Sequence, residues 1–269
     1  MKQTVTTLSE AARDVLLTRD ALEKSRISLA VATGWQNGHI TRIGEADAPD
    51  RPARPAAPAL LAPQNVPRRR INRGTAGRIA LLHALCHIEL NAVDLAWDII
   101  VRFADQDLPK AFFDDWVKVA MEEARHFQLL RERLGNFGAA YGDLPAHDGL
   151  WDAAQETRHD LAARLAIVPM VLEARGLDVT PAMIDKLRDV EDGESADILE
   201  VIYREEIGHV RIGKRWFAYI CSRQDQEPET YWRNLVTRHF RGDLKPPFNV
   251  PARDQAELPE DWYTNLTGN

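Results

Sequence analysis

At 269 residues the chain has material for one large domain or two small ones, and its 45% apolar and 28% charged content are ordinary for a globular protein. A net charge of −7 argues against a general affinity for nucleic acid or an anionic membrane surface. The two cysteines, Cys86 and Cys221, make no disulfide framework, and their apolar surroundings fit buried thiols in a reducing cytosol. The opening stretch MKQTVTTLSEAARDVLLTRDALEKS carries acids throughout and does not read as a secretory signal. The longest apolar run, LAIVPMVL at Leu165–Leu172, is too short to span a bilayer. A soluble, cytoplasmic protein is the expectation.

In chain order, residues 1–27 read as one amphipathic helix opened by Thr or Ser caps. Six prolines between Pro49 and Pro67 then prescribe an extended, polyproline-like arm over the surface of the main domain. The basic run PRRRINR at Pro67–Arg73 is a solvated entry to a helix that could also touch phosphate. From Thr75 the periodicity is helical: one long helix to Phe103, and a second over residues 111–138 that stops near Gly135. The third runs from Leu150 to Gly176, with Pro169 expected to kink or break it. A shorter helix follows over residues 177–192, with Thr180 as N-cap and Pro181 at its first position. The fourth long helix covers residues 194–222, and a short one, PETYWRNLVTRHF, precedes a Pro-rich tail. No stretch alternates with period two for long, so the fold is all-α with four long helices. The domains on this reading are a helix and arm (1–74), a bundle (75–221), and a short helix with an extended tail (222–269).

The motif Glu-Glu-x-x-His occurs twice, in MEEARHF and in REEIGHV. Residues three apart share a helix face, so Glu123 and His126 can reach one point, as can Glu206 and His209. Trp116, Val119, Phe127 and Leu130 surround the first pair at helical spacing; Leu199, Ile202, Val210, Ile212 and Trp216 surround the second. Carboxylates facing an apolar core are costly unless paired or bound to metal. With 18 Glu and 8 His, about half of one Glu-x-x-His match is expected by chance. A third match, Glu156 with His159, has Asp152 and Asp160 as neighbours and reads as solvent-facing.

Two further acids lie on apolar faces, Glu89 among Leu82, Leu85, Val93 and Ala96, and Glu173 among Ala166, Met170 and Leu177. Glu89 precedes Glu123 by 34 residues and Glu173 precedes Glu206 by 33. An antiparallel pair of helices climbing and descending about 17 residues each returns the chain to one level, so each acid can sit opposite its Glu-x-x-His partner. The halves also share Glu-x-x-x-x-Asp, as Glu89 with Asp94 and Glu173 with Asp178.

Four carboxylates and two imidazoles on four helices are the ligand pattern of di-metal carboxylate bundles. On these residues, and on the stretches EARGLD, EEIGHV and PPFN…AR, the chain resembles the ferritin-like di-iron carboxylate superfamily, in a branch known only as a domain of unknown function. The resemblance covers nearly the whole chain, and a distant relative in the superfamily is the tRNA hydroxylase acting on a modified adenosine. It implies a ferritin-like four-helix bundle, with an extra N-terminal helix, Pro-rich arm and C-terminal extension, holding two metal ions, iron foremost (Fe/Fe or Mn/Fe). One ion would take Glu89, Glu123 and His126 and the other Glu173, Glu206 and His209, with Glu123 and Glu206 bridging. Glu156 is the substitute for Glu173 if the third helix has a different register.

Carboxylate and imidazole ligands suit iron, manganese or zinc, and no thiolate pair points to a cysteine-based zinc site. The implied activity is that of an oxidoreductase using dioxygen as co-substrate to oxidise or hydroxylate a small molecule or modified nucleoside. A separate electron-donor protein is expected, because the chain carries no flavin or nicotinamide fingerprint. No membrane is expected, and the added N-terminal helix and arm make a homodimer plausible. Tyr203, one turn before Glu206, is the candidate proton or electron relay, with a packed core tyrosine as the plainer reading. His83 and His87 read as core-edge histidines, and Trp97 and Trp216 as core residues. The competing functions are iron oxidation or metal handling without an organic substrate, and a metal-free structural or RNA-associated bundle using PRRRINR.

Overall fold

The computed structural model describes residues 6–66, 71, 74–264 and 266. The protein is all-α; the described residues hold no β-strand beyond an isolated bridge between Leu60 and Ala146. The basic cluster Arg68–Arg70 lies outside the described residues. The chain divides into two compact units, Met1–Trp151 and Asp152–Asn269, so the division falls inside the span read as one bundle.

In the first unit, the helix expected over residues 1–27 is two helices, α1 (Leu8–Leu17) and α2 (Ala21–Gln36). Thr7 and Glu10 close a reciprocal capping box at the start of α1. Asp20 ends the continuity, because its carboxylate accepts the Glu23 amide at 2.8 Å and opens a new helix instead of extending the old one. The Pro-rich arm is extended as expected apart from a 3₁₀ turn at Pro63–Asn65. It is tied down where Leu61 N donates to Ala146 O and Ala146 N to Ala59 O, at 2.8 and 3.0 Å.

α3 (Thr75–Arg102) and α4 (Lys110–Asn136) then form the central hairpin of this unit, and both follow the apolar periodicity closely. Leu82, Leu90, Val93, Trp97 and Ile100 of α3 pack with Phe112, Trp116, Phe127, Leu130 and Leu134 of α4, all buried. α3 is long and apolar enough to cross a membrane by length and composition, but 78% of its most apolar window is buried inside the protein, as expected of a core helix. α1 packs on α3 and α2 on α4. Ser28 of α2 joins the layers, donating to Ala120 O at 3.1 Å and accepting from Trp97 Nε1 at 2.7 Å.

The third long helix expected over residues 150–176 is interrupted twice. α5 (Gly149–Glu156) ends, and α6 (Leu161–Ile167) begins with Asp160 as its cap. Arg164, buried, donates to Ala154 O at 2.7 Å and Thr157 Oγ1 at 3.1 Å, satisfying groups that the break exposes. At Val168–Glu173 the helix widens to a π turn around Pro169, and α7 (Ala174–Asp189) continues from it. No new helix starts at Thr180: α7 runs through Pro181. A mid-helix proline frees the carbonyl four residues earlier, here that of Leu177, and the Asn249 side chain donates to it at 3.0 Å.

α8 (Gly193–Arg223) is the long helix of the second unit, packed on α6, the π turn and α7. α9 (Pro228–His239) follows where expected. The tail, expected to be extended, contains α10 (Val250–Gln255) and α11 (Glu260–Thr264), whose Ala252, Trp262 and Tyr263 are buried.

Candidate metal centre

The first unit brings three of the expected residues together. Glu89 of α3 and Glu123 and His126 of α4 are buried, the last two with no exposed surface. His126 Nδ1 lies 3.2 Å from Glu89 Oε2 and 3.4 Å from Glu123 Oε2. All three offer ligand atoms within 4.8 Å of one another. Burial, and next the neighbouring charge of Glu123, hold the Glu89 carboxyl well above the usual carboxylate range, with His126 opposing. The donor set, two carboxylates and an imidazole converging in a buried interior, fits a hard or borderline divalent cation. Cys86, one turn before Glu89, does not join it: burial pushes its thiol up, and Sγ lies 3.8 Å from Phe127 O.

The second unit brings together Glu206 and His209 of α8, with His209 Nδ1 3.4 Å from Glu206 Oε1. His209 is fully buried, while the Glu206 side chain keeps 15% exposure. Glu173 is the last residue of the π turn, which packs against α8, and it is half-buried. Glu156 is not an equivalent candidate, being 46% exposed at its side chain and 3.8 Å from the Arg241 guanidinium. Tyr203 is half-buried, and its phenolic oxygen accepts a 2.7 Å hydrogen bond from Asn249 Nδ2.

His83 and His87 have structural partners. His87 Nε2 lies 3.1 Å from His147 O, which can only accept, so Nε2 carries the proton and Nδ1 accepts from Tyr141 Oη at 2.8 Å. Burial and then Arg54 push its pKa down to about 3, in keeping with a neutral ring. His83 Nε2 accepts from Gly142 N at 2.9 Å, and its ring stacks on Tyr141. Both are fully inside the first unit instead of at its edge.

Sequence reasoning missed the groups behind the ligand-bearing helices. Asp94 is held by Lys24 and Arg54, and Asp178 by Arg253, all within hydrogen-bonding distance. Repetition of Glu-x-x-x-x-Asp marked both aspartates. Nothing local marked Lys24, and Asn249 and Arg253 were visible only as part of PPFN…AR.

Residues 17–264 match the family described as Protein of unknown function (DUF455). A protein of Haemophilus influenzae (strain ATCC 51907 / DSM 11121 / KW20 / Rd), named only as an uncharacterized protein, is 41% identical over 211 residues, covering 76% of this chain and 73% of that one. No solved structure matches the chain significantly. With a family match spanning both candidate ligand sets and the tail behind them, the chain belongs to the DUF455 family.

Proposed function

We propose that the chain is a ferritin-like di-metal carboxylate protein whose two ligand sets each hold one ion, and that it is an oxidoreductase using dioxygen on an organic substrate. The observation that carries this reading is the convergence of Glu89, Glu123 and His126, three buried ligand-type side chains from two helices within 4.8 Å of one another. Glu206 and His209 repeat the Glu-x-x-His half of that pattern in the second unit. On this reading Glu89, Glu123 and His126 would hold one ion and Glu173, Glu206 and His209 the other. The ions are iron, or iron with manganese, because oxygen and imidazole donors suit both. When bound, such a pair supplies reversible redox chemistry toward dioxygen.

The chain's own residues do the rest. Apolar neighbours, among them Phe127 and Leu130, exclude water from the first ligand set. Because Tyr203 Oη accepts from Asn249, its own O–H remains available as a donor one turn from Glu206. That supports Tyr203 as the group that holds and passes a proton at Oη. Electrons come from a separate donor protein, and the substrate is a small molecule or modified nucleoside.

The test is elemental analysis of the purified protein after anaerobic loading with ferrous ion, beside Glu123→Ala and His126→Ala. Wild type should hold about two ions per chain, and each variant fewer at unchanged helicity. Unchanged metal content in both variants would sink the assignment. Oxygen uptake by loaded, reduced wild type, stimulated by an added substrate and not by metal alone, would separate oxidation of a substrate from simple metal handling.

A further inference from the structure

We infer that the two terminal extensions are positioning devices, each gripping one ligand-bearing helix through a buried aspartate five residues beyond its first glutamate. The inference rests on the metal reading above. Asp94 follows Glu89 on α3, and Asp178 follows Glu173 at the start of α7. Five residues turn an α-helix by one revolution and about 140° more. So Glu89 faces α4 while Asp94 faces the N-terminal extension.

The two grips share a design. Asp94 receives Lys24 Nζ of α2 at 2.5 Å on Oδ1 and Arg54 Nε of the arm at 3.0 Å on Oδ2. Lys24 also donates to Ala53 O at 2.8 Å, tying α2, arm and α3 at one point. Asp178 receives Arg253 of α10 through both prongs, Nε at 2.9 Å on Oδ1 and Nη2 at 2.7 Å on Oδ2. The Asn249 amide adds a third donor at 2.9 Å. Arg253 reaches Ala174 O as well, beside Glu173, and lies over the rings of Phe248 and Tyr263. Both aspartate side chains, and Lys24, have no exposed surface, and the Arg253 side chain keeps 4%.

Apolar packing is non-directional and lets a helix slide or rotate by small amounts. A fully paired, buried ion pair with fixed geometry does not, since any displacement leaves a charge unsatisfied. Metal ligands need such support from behind, and its loss typically costs about 10- to 100-fold in metal affinity. Asp94 stands on the helix of Glu89 and Asp178 on the helix that continues from Glu173. Damage to one extension should therefore weaken the ion held by its own glutamate more than the other.

The experiment is a titration of the full chain with manganous ion alone, counting sites and their affinities, with helicity and Tm measured in parallel. Lys24→Met and Arg253→Met should each keep one site at wild-type affinity and bind the second about 10- to 100-fold more weakly. Arg253→Lys, with the charge but not the fork, should lie between. Added to His209→Ala, Arg253→Met should change nothing further; added to His126→Ala, it should weaken the remaining site. The paired replacements Asp94→Leu/Lys24→Met and Asp178→Leu/Arg253→Met remove each aspartate with its most buried cation, leaving Arg54 its Asp148 and Asn91 partners and Arg175 its contact with Lys245 O; they should stay folded and show the same selective loss. Two sites at wild-type affinity in these folded variants, or equal weakening of both, overturns this inference alone. A wild type that takes up no ion overturns the metal reading and this inference with it.

Discussion

Gly213 of α8 lies against the Pro169 ring so closely that an added Cβ would come within 2.3 Å of Cγ and 2.4 Å of Cβ. A proline ring cannot swing aside, so a methyl group there pushes α8 off the π turn that ends at Glu173. Overpacking of this kind costs about 1–3 kcal/mol, more than the roughly 1 kcal/mol that alanine gains over glycine in a helix. Gly208, on the same helix, has nothing within 4 Å of an added Cβ. Gly213→Ala should therefore lower the urea midpoint while Gly208→Ala raises it, both at unchanged m. A higher midpoint for Gly213→Ala would mean that the close approach carries no packing constraint. The same residue-level logic separates candidate ligands from bystanders. His126 and His209 have carboxylates beside Nδ1, whereas both nitrogens of His87 are taken by a phenol and a carbonyl.

At the level of elements, α3, α4 and α8 were legible because long apolar periodicity leaves little choice. The face carrying Glu123 and His126 followed from three-residue spacing, and the hairpin's level-matching brought Glu89 to it. α7 was misread because Thr180-Pro181 is a strong local start signal, while the compensation for a mid-helix proline came from Asn249, 72 residues away from Leu177 in sequence. The break before α2 was legible in principle, since Asp20 followed three residues later by Glu23 has the form of a cap. The π turn at Val168–Glu173 has no comparable signal beyond Pro169 itself. Asn249→Ala tests the account of α7. It leaves the Leu177 carbonyl without its donor, at a cost of about 1–3 kcal/mol. Amide exchange should accelerate around Pro181 with little change at the start of α8. Unchanged protection there would show that α7 tolerates its proline without the tail.

For the whole molecule, the buried cations were the illegible part. Lys24 and Arg253 read as surface charges by composition, because lysine and arginine are seldom buried unless paired, and their partners lie 70 and 75 residues away in sequence. Those pairings make each extension part of the unit it grips. Ending the chain after Phe240 removes Arg253 together with buried Leu258, Trp262 and Tyr263. Losing three large apolar contacts and one side of a buried ion pair should cost the second unit ~3 kcal/mol or more, a drop that makes amide exchange about a hundredfold faster. The expected pattern is faster exchange in α6, α7 and α8 with α3 and α4 still protected, because the first unit keeps its own grip through Lys24, Arg54 and Asp94. Loss of protection in α3 and α4 to the same degree would show one cooperative body in place of two separately clamped units. Protection retained throughout would show that the tail is an appendage, and the case for its part in positioning Glu173 would go with it.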